Sequence, residues 1–261
     1  MRFSIITVSF NSDKTIERTI KSVLAQTEKD FEYIIVDGAS KDGTLDIIKK
    51  YEPLFEGRMK WKSEPDTGIY NAMNKGVKMA SGDIIGIVNS DDWLELDALE
   101  IVEKAFEKNG RDKGTLYCGG INYHKIDGTV KHWSANLKSF ERQASLYIMS
   151  GIRHPATFVP RQVYKKIGQF NDCMKLSADQ DFILRCHFGG VNFIEIPEIL
   201  SNMSEGGLST VGSERARMIA TEDRKLMLKS FGKNGLSYWW LIYTWKLRGV
   251  LRRIIKKYIY I

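Results

Sequence analysis

The chain has 261 residues, of which 43% are hydrophobic and 27% charged, with only five prolines. These proportions exclude long disorder, a collagen-like repeat and a multi-span membrane protein, and the length suits one large α/β domain or one domain with a short appendage, since domains commonly run about 100 to 200 residues. The net charge of +7 is unevenly spread: residues 215–261 hold twelve of the 39 Lys/Arg and two of the 32 Asp/Glu, a local +10 that leaves −3 on the other 214 residues. An anionic partner, a membrane surface or nucleic acid, is therefore expected near the C-terminus.

The N-terminus reads Met1, Arg2 and a short apolar run from Phe3 to Val8, followed at once by Ser9, Asn11 and Ser12. It lacks the longer apolar core and small-residue cleavage site of a signal peptide. Cys118, Cys173 and Cys186 are odd in number and lack C-x-x-C spacing, which argues against a disulfide framework and a zinc ribbon. A reducing, cytoplasmic location is expected.

In chain order, Phe3 to Val8, Glu32 to Val36, Met59 to Lys62, Ile84 to Val88 and Thr115 to Cys118 read as strands, being brief, mostly β-branched where buried and bounded by turn formers. Between them, Lys14 to Ala25, Thr44 to Tyr51, Ile69 to Ala80 and Leu96 to Asn109 read as helices. The first keeps Ile16, Ile20, Val23 and Leu24 on one face, with Ser12 and Asp13 as candidate N-caps. Strict alternation of strand and helix implies right-handed βαβ units and a mostly parallel sheet.

Ligands of such sheets bind beyond the carboxyl ends of the strands. The acidic residues there are Asp37, Asp66, Asp91 and Asp92, and four carboxylates on one rim call for a divalent cation, Mn²⁺ or Mg²⁺, as compensation. Structural readings stand beside this one. The stretch Asp37 to Gly43 is also a turn leading into a helix cap, and Asp91 and Asp92 are placed to cap the helix near Leu96. No G-x-G-x-x-G follows the first strand, and Gly38 to Thr44 lacks the lysine of a P-loop, so neither a dinucleotide-binding fold nor an NTPase is indicated.

Four blocks carry a resemblance: Ser4-Ile5-Ile6-Thr7-Val8-Ser9-Phe10-Asn11, the run from Ile35 to Thr44, the run from Glu64 to Gly76, and the run from Ala80 to Asp92. In this order and spacing they resemble the inverting glycosyltransferases of family 2, which have the GT-A fold: an α/β, Rossmann-like mixed and mostly parallel sheet flanked by helices. A weaker match extends to about residue 210. The resemblance implies residues 1–120 as a nucleotide-sugar-binding half and 121–212 as an acceptor-side half of the same domain; it leaves the last fifty residues uncovered, and the composition of 213–261 reads as a basic, aromatic helical tail. It implies a nucleoside diphosphate sugar, UDP-linked by preference, as donor, and a glycan or lipid-linked glycan as acceptor.

Residue by residue, it assigns Thr7, Ser9, Asn11, Asp37 and Asp66 to the nucleotide sugar. Asn89-Ser90-Asp91-Asp92 falls on the D-x-D metal motif, with Asn89 in place of the first aspartate, which leaves Asp91 and Asp92 as metal and diphosphate ligands and Asn89 as a ribose partner. Asp179 falls on the catalytic base and Asp181 is the reserve; at a helix start either is also placed to complement the dipole. His154 is a candidate contact for acceptor or phosphate, with a purely structural role as the alternative. Glu205 to Thr210 reads as a glycine-containing loop, which the resemblance implies could close over the diphosphate.

The tail holds no charge from Leu236 to Trp245, too short a stretch to span a bilayer, which needs about 20 residues. Beyond it, Leu247, Val250, Leu251, Ile254, Ile255 and Tyr258 recur at helical spacing, with Lys246, Arg252, Arg253, Lys256 and Lys257 mainly on other faces. A C-terminal basic amphipathic helix attached to the inner face of the cell membrane is expected, with no nucleic acid as partner. Packing of this helix on the catalytic domain or on a second subunit is the alternative. A non-catalytic, anion- or membrane-binding module of the same fold is the competing functional reading.

Overall fold

The computed structural model describes residues 2–149, 151–206 and 214–258; within these it leaves undescribed the side chains of Glu214, Arg248 and 251–258. Strands β1 (Phe3–Ser9), β2 (Phe31–Asp37), β3 (Met59–Ser63) and β4 (Ile84–Ile87) alternate with helices α1 (Ile16–Leu24), α2 (Thr44–Tyr51) and α3 (Ile69–Met79). After the two-residue β5 (Trp93–Leu94) come α4 (Ala98–Lys108), β6 (Thr115–His124), β7 (Val130–Trp133) and α5 (Leu137–Ala144). Then follow β8 (Thr157–Pro160), α6 (Arg161–Ile167), α7 (Ala178–Phe188), β9 (Asn192–Ser204), α8 (Glu214–Ser230) and α9 (Gly235–Tyr258).

One sheet carries all of them in the order β3-β2-β1-β4-β8-β6-β9-β5, with β7 beside β6. The expected mixed sheet is present, with its run of parallel strands in the N-terminal half. β3, β2, β1 and β4 are parallel, as βαβ crossovers require, and β6 is parallel to β9. β8 is antiparallel to both β4 and β6, and β5 and β7 pair antiparallel on β9 and β6. The sheet is therefore mixed, because β8 turns back into the gap between β4 and β6.

Period-two alternation sends the two faces of each strand into separate apolar layers. In β1, Phe3 and Ile5 join Ile16, Ile20, Tyr33, Ile48, Leu99 and Phe106 on the α1–α2–α4 side. Ile6 and Val8 join Met73, Val77, Phe170 and Phe182 on the α3–α7 side. Gly76 is required by this second layer, since a Cβ there would lie 2.5 Å from Ile6 on β1. A buried polar anchor sits at the start of β2. Glu32 accepts from Ser4 Oγ (2.7 Å), Ser81 N (2.6 Å), Gly82 N (3.2 Å) and Lys60 Nζ (2.9 Å). Burial pushes this carboxyl up, but the hydrogen bonds from Ser4, Lys60 and Ser81 outweigh burial and bring it down to about 2.

The C-terminal region is not a detached tail. Met227 and Leu228 of α8 and Tyr238, Leu241 and Ile242 of α9 are buried in the α3–α7 layer. The opposite face of α9 exposes Leu236, Trp239, Trp240, Tyr243, Leu247 and Val250. Leu251 and the basic run from Arg252 to Lys257 have side chains outside the described residues, so the amphipathic pattern read there is described only as backbone helix. Among the described residues no helix is long and apolar enough to cross a membrane.

Candidate active site

The rim forms where β1, β2 and β4 end. Ser9 and Asp37 are register partners on adjacent parallel strands, and Gly38 N–H donates to Ser9 O (2.8 Å), so the two exits are held side by side. Asn11, in the left-handed region with φ 49°, clasps the next turn: its Oδ1 accepts from Lys41 N (2.9 Å) and its N–H donates to Ser40 Oγ (2.8 Å). Asn is among the residues that tolerate this conformation. Ser12, expected as a helix cap, instead links the exits of β1 and β4 through Ser90, with the two Oγ atoms 2.8 Å apart. The N-cap of α1 is Thr15.

Three of the four rim carboxylates differ in how they are compensated. Asp37 is fully buried and accepts four bonds, from Ser9 Oγ (3.1 Å), Ser40 Oγ, Ser40 N (2.9 Å) and Ser63 Oγ (2.7 Å). These donors fill the roughly four lone-pair directions of a carboxylate. Asp66 is paired with Lys75 (2.5 Å), which also reaches Glu64 (3.0 Å). Asp92 is 1% exposed and differs from both. Its Oδ1 accepts from Ser204 N (3.1 Å), while its Oδ2 is buried without a hydrogen-bond partner, as is Asn89 Oδ1. Burial and the neighbouring Asp91 push the Asp92 carboxyl up to about 8, and burial raises Asp91 as well.

The four-carboxylate cluster read from the sequence thus separates into two neutralised groups and one pair in need of positive charge. Arg18 supplies part of it. Its guanidinium lies 3.6 Å over the Trp93 ring and donates to Asp91 O (2.7 Å) and Ser204 Oγ (2.8 Å), so it ties α1 to the acidic loop and to the end of β9. The alternative capping role for Asp91 and Asp92 is not realised: β5 intervenes, and the N-cap of α4 is Asp97. Two adjacent carboxylates and two orphaned buried oxygens are hard donors that fit Mg²⁺ or Mn²⁺. Among the described residues no group of three or more His, Cys, Asp or Glu gathers as a metal cage.

Thr7 does not reach the rim. Its side chain is fully buried in the α1–α2–α4 layer, where Oγ1 accepts from Tyr33 OH (2.9 Å). Strand alternation explains this, since Thr7 shares the face of Phe3 and Ile5. Phe10, passed over in the sequence, is 64% exposed beside Gly38, where an added Cβ would meet the Phe10 ring at 3.2 Å and Asp66 Oδ2 at 3.3 Å. A large apolar side chain exposed between Ser9 and Asn11 was the available signal.

On the other side of the sheet's edge, the first turn of α7 carries both candidate bases. Asp179 accepts from the buried Tyr70 OH (3.0 Å), and His154 lies close enough for Asp179 to raise its imidazole against the downward effect of burial. His154 also packs edge-on to Phe170 (5.6 Å). Asp181, by contrast, is 1% exposed and bonded to Arg185 (2.7 Å), whose other nitrogens donate to Ile167 O and Gln169 O. Asp181 is thus engaged in a buried ion pair that staples α7 to the end of α6.

Residues 4–168 match the model of glycosyl transferase family 2. The chain belongs to glycosyltransferase family 2. The glycosyltransferase is 33% identical over 185 residues to a PGL/p-HBAD biosynthesis glycosyltransferase of Mycobacterium bovis, covering 70% of this chain and 69% of that protein. Its fold is of the GT-A type. It resembles residues 1–349 of TarS from S. aureus in complex with UDP-GlcNAc, with TM-score 0.67 and 20% identity over 92% of this chain and 69% of that one. Against the longer TarS chain it spans 41% of the length. It also resembles the mannosyltransferase PcManGT from Pyrobaculum calidifontis in complex with GDP-Man and Mn²⁺, with TM-score 0.62 and 18% identity over 90% of this chain and 65% of that one. The sequence match covers 70% of the chain and the structural match 92%.

Proposed function

We propose that this glycosyltransferase moves a sugar, with inversion, from a nucleoside diphosphate donor to a hydroxyl of a glycan or lipid-linked glycan, assisted by a divalent cation. The observation that carries this reading is the acidic pair Asp91/Asp92 with the unpartnered buried oxygens of Asp92 and Asn89 on the strand-exit rim. UDP is the favoured nucleotide, in keeping with TarS bound to UDP-GlcNAc, and the Mn²⁺ of PcManGT supports the cation.

In this reading Asp91 and Asp92 hold the cation, and Asn89 faces the ribose or the same ion. The cation, when bound, supplies positive charge to the departing diphosphate. The chain's own residues do the rest. Ser9, Asp37 and Asp66 line the nucleotide pocket, Asn11 sets its turn, and the exposed Phe10 ring offers a stacking face to the base. A ligand N–H reaches Asp37 only by displacing one of the three hydroxyls that now bond it. Asp179 takes the proton of the attacking hydroxyl as the anomeric carbon becomes oxocarbenium-like, with His154 bonding the acceptor beside it. Asp181 stays out of the reaction because its charge is held by Arg185.

The outward face of α9 supports attachment to the cytoplasmic face of the membrane, since Trp239, Trp240 and Tyr243 stand exposed next to a strongly basic stretch. The enzyme assignment is tested by thermal melting against UDP, GDP, dTDP and CMP with and without Mn²⁺, together with sugar transfer by Asp179→Asn. A ligand at about 100 times its Kd stabilises by roughly 2.7 kcal/mol. A cation-dependent shift with one nucleotide and loss of transfer in Asp179→Asn are expected. Full transfer by Asp179→Asn would remove Asp179 from the base role, whereas no nucleotide-dependent shift and no transfer by the wild type would favour the non-catalytic module instead.

A further inference from the structure

The run from Glu64 to Gly76 is bonded to the segment ahead of α7. Asn74 Nδ2 donates to Phe170 O (2.9 Å) and its Oδ1 accepts from Phe170 N (3.0 Å). Asn71 Nδ2 donates to Asp172 (3.1 Å), and Lys175 Nζ donates to Thr67 O (3.0 Å). The segment just before α7 is therefore tied to α3 at two positions and to the turn before α3 at a third. Tyr70, on the same helix, is 6% exposed, packs its ring against Phe170 at 5.8 Å, and aims its hydroxyl at Asp179 Oδ1.

We propose that Tyr70 is a positioning residue for the reaction: it holds one oxygen of the Asp179 carboxylate from α3 and leaves the other free to receive the acceptor proton. This rests on the reading of Asp179 as the base. Among the described residues Asp179 Oδ2 accepts no hydrogen bond, so the two oxygens are already differentiated. The phenol keeps its proton at any working pH, because burial and the Asp179 charge both raise it. Rigidity comes from both sides. α3 is pressed onto β1 at Gly76, and the N-terminus of α7 is fixed by Asp223 of α8, which accepts from Lys175 N (3.0 Å), Leu176 N (2.6 Å) and Ser177 N (2.9 Å). A base held this way is oriented before the acceptor arrives, which is where intramolecular catalysis gains most.

The titratable groups facing this pair are His154 from the turn before β8 and Asp223 from α8. The test is steady-state transfer from UDP-GlcNAc or GDP-mannose, whichever the protein uses, by the wild type, by Tyr70→Phe, which keeps the ring, by Asp179→Asn and by the double variant. In Tyr70→Phe kcat should fall about tenfold with KM for the donor and the urea midpoint unchanged. On the Asp179→Asn background the same Tyr70→Phe change should cost little further rate, because the hydroxyl then has no base to hold. An unchanged kcat in Tyr70→Phe, a loss confined to KM, or an equal further loss in the double variant overturns the proposal. If Asp179→Asn transfers sugar at the wild-type rate, the base assignment fails and the positioning role fails with it.

Discussion

Asn74 pairs with Phe170 as one β-strand residue pairs with another: its side-chain amide satisfies both the N–H and the C=O of that backbone, at 3.0 and 2.9 Å. Asn74 is 7% exposed and Phe170 4%, so water has little access to either partner. Asn74→Ala would strand two buried backbone groups, at about 1 to 3 kcal/mol for the first of them. A loss of about 3 kcal/mol in urea unfolding is expected, with kcat reduced because the approach to α7 loosens. A cost under about 0.5 kcal/mol, typical of a surface change, would show that the bonds are dispensable.

Asp92 is expected to lower stability when no cation is present. Its carboxyl is raised to about 8 by burial and by Asp91, so as pH rises from the ordinary carboxylate range through 8 the folded state must give up a proton that it binds more tightly than the unfolded chain does. At pH 8.5 in EDTA, Asp92→Asn should melt above the wild type, by about 1 to 2 kcal/mol of stability. Excess Mn²⁺ should then stabilise the wild type and leave Asp92→Asn and Asp91→Asn unmoved. Equal Mn²⁺ shifts in all three proteins would remove this pair from the cation site.

Glu32 has the opposite sign. Its carboxyl is held at about 2, below the unfolded value of 4.5, so its contribution is complete above about pH 4.5 and is lost as pH falls toward 2. Glu32→Gln should cost about 2 kcal/mol at pH 7, and the gap between the two proteins should close as the pH is lowered through that window. Chemical denaturation at a series of pH values checks this; a gap that is constant from pH 7 to 2.5 contradicts it.

Membrane attachment should be tested with the full chain. Truncation near Gly235 removes Tyr238, Leu241 and Ile242 from the core, so any loss of vesicle binding would be mixed with partial unfolding. Trp239→Ala with Trp240→Ala changes only exposed rings. Co-sedimentation with phosphatidylglycerol-containing vesicles should drop at least tenfold in the double variant while melting is unchanged. Equal sedimentation of both proteins would exclude the Trp239/Trp240 face as the anchor, and binding to neutral vesicles alone would exclude its basic neighbours.

The elements legible in the sequence were those with a clear period. Thr44–Tyr51 was read to the residue and the first four strands to within one residue at each end, because their alternation or 3.6-residue spacing is set by two well-filled apolar layers. β6 runs six residues past its expected end, since Gly119 and Gly120 look like a terminus but sit at a register shift against β9. At the rim, Asp37, Asp91 and Asp92 were visible as charges at strand exits. What cancels a charge was less visible: Lys75 beside Asp66 and Ser63 beside Asp37 come from other elements, whereas Arg185 stands at i,i+4 from Asp181, a spacing the sequence carries. The burial of Thr7 against Tyr33 was not visible either, because a block of similar residues does not say which face each side chain takes. Tyr70 and Asp223 serve Asp179 from 109 and 44 positions away in the chain, a distance at which spacing carries no information.

The bonds from Asp223 to the three N–H groups ahead of α7 also order events in time. A ribosome delivers the acidic helix first and its cap more than forty residues later. Until α8 emerges, the start of α7 lacks this side-chain partner and the layer that Met227 and Leu228 complete stands open. The start of α7 is therefore completed late, although its own residues are made more than forty positions before the side chain that caps it.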